Sequence, residues 1–134
     1  MKVLITGGAG FIGCNLADYH LYRGDDVVVF DNLSRKGTDS NLAWLHERHG
    51  DQFTFVHGDI RDFYALVAHL DTDTDRVYHL AGQVAVTTSV QNPREDFQIN
   101  AYGTLTYGEG LGFTTASVSG VKNLSVSIKC TRSY

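Results

Sequence analysis

The run Thr6-Gly7-Gly8-Ala9-Gly10-Phe11-Ile12-Gly13 decides the fold. It separates two segments of different periodicity. Upstream, Val3, Leu4 and Ile5 are apolar without alternation, which suits a parallel strand covered on both faces and predicts a strand over Lys2–Thr6. Downstream, Ile12, Leu16, Tyr19 and Leu21 fall near one stripe, which predicts a helix from Phe11 to about Arg23, closed by Gly24. Between them, Gly7 permits a tight turn, Gly10 lets backbone approach a pyrophosphate, and Gly13 allows helix and strand to pack closely. The helix start at Phe11 and Ile12 offers free N–H groups and partial positive charge to phosphates. The spacing is G-x-x-G-x-x-G, and a glycine triplet alone is also what a merely structural βα turn would show.

The residues that follow discriminate. Val27, Val28, Val29 and Phe30 form a second buried strand, Asp26–Asp31. Asp31 ends it, roughly 20 residues beyond the glycine turn, where a carboxylate can accept hydrogen bonds from both adenosine ribose hydroxyls. It would repel a 2′-phosphate, so NAD is favoured over NADP, while Arg35 and Lys36 nearby are able to accommodate that phosphate. Asn32 and Ser34, in the polar loop beyond, are assigned to the same cofactor side.

A helix over 41–49 closed by Gly50, a third strand over 52–57 and a helix from Asp59 to Leu70 come next. Gly58-Asp59-Ile60 stands where Asp59 can take the exocyclic amine of adenine and Ile60 can pack on the ring; an N-cap role for Asp59 is equally compatible. A fourth strand, 76–80, leads into Leu80-Ala81-Gly82, small residues that let ribose and phosphates lie against backbone. His79 reads as a packed core histidine rather than a base. Pro93, the one proline, suits the first position of a helix running through Phe97, Ile99 and Asn100.

Strands and helices therefore alternate, which argues for a doubly wound parallel sheet: the N-terminal half of a Rossmann-type α/β fold, strand order 3-2-1-4. Residues 1–104 make this partial dinucleotide-binding domain. Residues 105–134 differ: Glu109 is the last acidic residue and Gly, Ser and Thr crowd the remainder. A shifted reading frame would produce such a tail; a real but divergent short protein is the alternative. Within it Leu124, Val126 and Ile128 alternate with polar residues, hinting at one half-buried strand. The sheet stops at its fourth strand in this reading, so an uncovered edge and self-association are expected.

The formal net charge of −4 and the lack of any Lys/Arg block argue against nonspecific nucleic-acid or anionic-membrane binding. No apolar stretch nears the roughly 18 residues of a membrane helix. Cys14 and Cys130 form no CxxC pair, and the six histidines show no HxH or HExxH, so neither a disulfide framework nor a metal site is expected. The cytoplasm is the expected compartment.

Several pieces in order, TGGAGFIG (Thr6–Gly13), FDNLSR (Phe30–Arg35), GDIRD (Gly58–Asp62), HLAG (His79–Gly82) and SVQNP…FQIN (Ser89–Asn100), resemble the extended short-chain dehydrogenase/reductase family. The match is to its NAD-dependent epimerases/dehydratases acting on nucleotide sugars. The segment AGQVAVTTSVQNPREDFQIN is most similar to CDP-paratose/CDP-tyvelose 2-epimerases, with Val84 where UDP-glucose 4-epimerase-like proteins carry lysine. The resemblance implies NAD as cofactor, a CDP- or UDP-sugar as partner and, in such enzymes, a homodimer. It implies oxidation of a sugar hydroxyl to a ketone and its re-reduction, with a Tyr in Tyr-x-x-x-Lys as base. Carried over by position, Thr88 and Ser89 would line the substrate side and Asn100 would support the cofactor site.

The 134 residues contain no Tyr-x-x-x-Lys: Tyr102 is followed four residues on by Thr106 and Tyr107 by Leu111, while Tyr134 ends the sequence. No catalytic residue is therefore assigned, the sugar-nucleotide lobe is absent, and this chain alone is expected to be inactive. A noncatalytic NAD-binding remnant or interaction module is the alternative.

Overall fold

The computed structural model describes residues 1–70, 73–83, 85–105 and 126–128. Four parallel strands form its sheet: β1 (Lys2–Thr6), β2 (Asp26–Asp31), β3 (Phe53–His57) and β4 (Arg76–His79), in the order β3-β2-β1-β4. The helices are α1 (Phe11–Tyr22), α2 (Thr38–His49), α3 (Phe63–Val67), α4 (Val86–Gln91) and α5 (Pro93–Phe97); a π-helical turn, Gln98–Tyr102, continues α5. None is long and apolar enough to cross a membrane.

The unbroken apolar runs of β1 and β2 have a simple cause. Val3, Ile5, Val27 and Val29 face one side, where Ala17 and Leu21 of α1 and Leu45 of α2 cover them. Leu4, Val28 and Phe30 face the other, packed with Ile60, Leu66 and Val77. Both faces of the sheet are thus dry, as parallel sheets require.

Three expectations need correction. α2 begins at Thr38, three residues before the expected start, because Gly37 at φ +94° turns the chain into it. The helix expected from Asp59 is only Phe63–Val67. Its N-cap is Asp62, which accepts from the Ala65 N–H, whereas Asp59 closes a local turn onto the Arg61 N–H at 2.9 Å. The outer edge of β4 is not bare: β5 (Val126–Ile128) pairs with it antiparallel, Val77 opposite Ile128 and His79 opposite Val126. Backbone N–H and C=O groups at a strand edge need partners, and this alternating stretch supplies them. α4 carries no clear periodicity and was not anticipated; Asn92, capping Glu95 N–H, and Pro93 start α5 as expected.

Candidate functional site

The carboxyl ends of the parallel strands open onto a groove. That is where open α/β sheets bind ligands. Gly7, Gly10, Asp31, Asn32, Ser34, Asp59, Ile60, Leu80, Ala81 and Gly82 line it, all residues singled out from sequence. Gln83, Phe30, Arg35, Thr38, Gly58 and Ile99 line it too.

The glycines of the turn are not equivalent. Gly7 has φ +68°, and a Cβ there would lie 2.6 Å from the Ala81 nitrogen. A Cβ on Gly13 would overlap the Gly7 carbonyl oxygen, and one on Gly8 would lie 2.8 Å from Ile5 O. Those three glycines are demanded by the protein's own packing. Gly10 is less constrained: its φ of −68° suits any residue, and a Cβ would meet only Gly7 O, at 3.1 Å, a tight contact with backbone but no overlap.

Backbone accounting names the available donors. Gly7 and Gly8 N–H donate to Phe30 O, Ala9 N–H to Asp31 Oδ2 at 3.0 Å, and Gly10 N–H to Gly7 O. No side chain caps α1, and the N–H groups of Phe11 and Ile12 have no acceptor among the described residues. A helix start in that condition attracts an anion. The side chains of Phe11 and Ile12 are exposed, and Gly13 sits behind them in the helix–strand contact.

Asp31 is 8% exposed and already binds protein: Oδ2 accepts from Ala9 and Oδ1 from Leu33 N–H at 2.8 Å. It ties the glycine turn to the end of β2 and holds Leu33 at φ +54°. Asn41 completes the clamp by donating to Ala9 O at 2.8 Å. Asn41 was missed because a lone amide on a helix carries no spacing signal. Each Asp31 oxygen keeps acceptor capacity for further donors.

Asp59 is gripped by Arg61, whose Nε donates to Oδ1 at 2.8 Å and Nη2 to Oδ2 at 2.6 Å; Asn32 donates to Oδ2 at 3.3 Å. The guanidinium lowers the Asp59 carboxyl to about 2. It stays an acceptor-only group, as recognition of an amine requires.

On the far wall Asn100 takes both backbone groups of Gln83: Oδ1 accepts from its N–H at 2.7 Å and Nδ2 donates to its carbonyl at 2.9 Å. Asn100 itself is not in the groove wall; it fixes the wall. Ser89 is likewise set back, its hydroxyl donating to Asp96 Oδ1 at 2.6 Å, and Asp96 in turn accepts from Asn100. Thr88 belongs to α4, but its side chain and Val84 lie outside the described residues. His79 is 4% exposed, and burial lowers it to about 4, so it is neutral at physiological pH.

The arrangement is therefore a helix start whose first N–H groups lack an acceptor among the described residues, with two acidic acceptors in the same groove. A family model for GDP-mannose 4,6 dehydratase matches residues 4–110. The chain belongs to this family of NAD-dependent epimerases and dehydratases. It is 55% identical over 108 residues to the CDP-paratose 2-epimerase of Salmonella typhi, a match covering 78% of this chain and 31% of that protein. This epimerase/dehydratase-family chain thus spans about a third of that relative's length. It is 36% identical over 132 residues to a UDP-glucose 4-epimerase of Klebsiella pneumoniae, covering 98% of this chain and 91% of the other, so that alignment takes in the tail. Among solved structures it superposes with TM-score 0.75 and 30% identity on the Stenotrophomonas maltophila UDP-glucose-4-epimerase crystallised with NAD and formylated UDP-arabinopyranose, covering 84% of this chain and 33% of that one.

Proposed function

We propose that the chain supplies the NAD-binding part of a nucleotide-sugar epimerase or dehydratase, and that the whole enzyme is a CDP-sugar 2-epimerase. The observation that carries the cofactor is the helix start: Gly10 is the least constrained glycine of the turn, beside two N–H groups without an acceptor among the described residues. The pyrophosphate lies there, on Gly7, Gly10, Phe11, Ile12 and Gly13. Asp31, with Asn32 and Ser34, takes the adenosine ribose; Asp59 and Ile60 take adenine. The second ribose runs along Leu80, Ala81 and Gly82, with Asn100 holding that wall. The bound NAD supplies hydride acceptance from, and return to, a sugar carbon; the residues described here bind and orient it.

The 55% identity to a CDP-paratose 2-epimerase supports CDP over UDP. Residues 1–104 form the dinucleotide unit in this reading, and 105–134 a separate segment whose inclusion in the Klebsiella alignment favours a genuine, divergent continuation over a shifted frame. Thr88 is assigned to the sugar side, whereas Ser89 acts through Asp96. The setting is cytoplasmic. A second reading concerns the chain in isolation. Lacking Tyr-x-x-x-Lys, these 134 residues bind NAD but transfer no hydride.

The test is incubation of the full-length polypeptide with NAD and CDP-tyvelose or UDP-glucose, followed by proton NMR at the sugar carbons. Inversion at C2 of the CDP-sugar is expected. Turnover of UDP-glucose alone would overturn the CDP assignment, and turnover by the 134-residue chain would overturn the noncatalytic reading.

A further inference from the structure

One chain of hydrogen bonds, buried at Thr6 and His79, runs behind the Leu80–Gln83 wall of the groove and is used by none of the roles above. Thr104 Oγ1 donates to Asn100 O at 2.7 Å. A hydroxyl has one hydrogen, so toward His79 Nε2, 3.1 Å away, Thr104 can only accept. The imidazole proton therefore sits on Nε2. His79 Nδ1 is then an acceptor, and its partner at 2.6 Å is the hydroxyl of Thr6, which is fully buried. Thr6 Oγ1 also accepts from Ala81 N–H at 3.4 Å. Every donor direction is thus fixed from Ala81 through Thr6, His79 and Thr104 to the carbonyl of Asn100.

Both ends of this chain meet the Leu80–Gln83 wall: Ala81 is part of it, and Asn100 holds it from behind through Gln83. Ala81 abuts Gly7, the first glycine of the turn. Asn100 clamps Gln83 from the π-helical turn, whose widened geometry is common where a helix serves a site. Gly103 sits against Ile60, where a Cβ would lie 3.0 Å from Ile60 Cγ2, and this close approach seats Thr104.

We propose that His79 and Thr104 are positioning residues for the dinucleotide: as a directional chain with the proton on Nε2, they lock the Leu80–Gln83 wall to the glycine turn. The inference rests on the NAD reading above and deepens it. The chain acts on the pyrophosphate and nicotinamide-ribose half of the ligand, not on the adenosine half held by Asp31 and Asp59. Protonated His79 would carry a hydrogen on Nδ1 as well, would reverse the Thr6 bond and would leave the Thr6 hydroxyl hydrogen without its acceptor. Burial, which keeps the ring neutral, protects the direction of the chain.

The test compares NAD and AMP binding by calorimetry in the whole chain and in Thr104→Val and Thr104→Ser, with melting temperature as a folding control. Thr104→Val is expected to weaken NAD about tenfold, the effect of one lost buried hydrogen bond, and to leave AMP within about twofold. Thr104→Ser, which keeps the acceptor, restores NAD binding. A general loosening would weaken both ligands together, and that result, unchanged NAD affinity in Thr104→Val, or failure of Thr104→Ser to restore binding overturns the proposal. If the unaltered chain binds no NAD, the NAD reading itself fails. Nitrogen-15 NMR of His79 then decides the chain on its own: an Nε2–H tautomer is expected, and an Nδ1–H tautomer contradicts it.

Discussion

The two ends of the parallel strands treat charge in opposite ways. At the amino end, the Met1 ammonium meets Asp25 Oδ1 at 2.9 Å. His20, 2% exposed, meets Asp25 Oδ2 at 2.8 Å and the Tyr78 hydroxyl at 3.3 Å, while Arg76 reaches the same hydroxyl. Asp75 accepts from Lys2 N–H at 2.8 Å. The charges there satisfy one another. At the carboxyl end, Asp31 is held by neutral backbone donors, and among the described residues Phe11 and Ile12 N–H have no acceptor and Arg35, lining the groove, has no ion pair. One end closes the molecule and the other leaves polar groups for something outside it. Fold and site share a sheet, but not a charge balance.

The largest effect that sharpens this contrast concerns packing beneath the groove. Gly13→Val drives a side chain into the Gly7 carbonyl, and a loss of about 3 kcal/mol or more of stability is expected in urea unfolding. A midpoint unchanged from the parent would show that the turn is slack. Next, Asp31→Ala should cost NAD about 1–3 kcal/mol, the scale of charge-assisted hydrogen bonds, and cost NADP less. Because Asp31 also anchors Ala9 and Leu33, the same variant should melt at a lower temperature. Equal losses of NAD and NADP would remove Asp31 as the discriminating group.

Acid should attack the two ends in turn. Burial lowers His79 from 6.5 to about 4, so between those values the unfolded state binds more protons and stability falls as pH falls. Hydrogen bonds from His20 and the chain amino group lower Asp25 from 3.8 to about 2, so its contribution is complete above pH 3.8 and is lost as pH drops through about 2. Melting curves across pH should show the loss between 6.5 and 4 flattened in His79→Gln, and that between 3.8 and 2 flattened in Asp25→Asn. Flattening in the wrong window for either variant would reverse the assignment.

How much was legible follows from the kind of signal each feature leaves. Continuous apolar runs at Val3–Ile5 and Val27–Phe30 announce buried parallel strands because two-sided burial forbids alternation. Gly24 at φ +78° and Gly50 at φ +58° end helices where only glycine fits readily, so they punctuate the sequence visibly. α4 left no such mark: Val86–Gln91 is a mixture of β-branched and polar residues of low helix propensity. At the site, Gly10 and Asp31 were readable from spacing. The second engagement of Asp31 with Ala9 and Leu33, the Arg61 grip on Asp59 and the Asn41 clamp were not, because each depends on an atom-level direction that spacing does not encode. The edge of β4 was misread for a related reason: β5 covers it from far along the chain, in a segment of weak pattern.

A groove built around a dinucleotide phosphate turns on Gly10, the glycine of the turn that the protein's own packing constrains least. The direct measurement is calorimetric titration of NAD into the 134-residue chain and into its Gly10→Val variant, with melting temperatures recorded for both. One saturable site in the parent, no detectable heat in Gly10→Val and closely similar melting temperatures are the predicted result. NAD affinity in Gly10→Val within about twofold of the parent, a margin well under one hydrogen bond, would contradict the account and place the phosphates elsewhere.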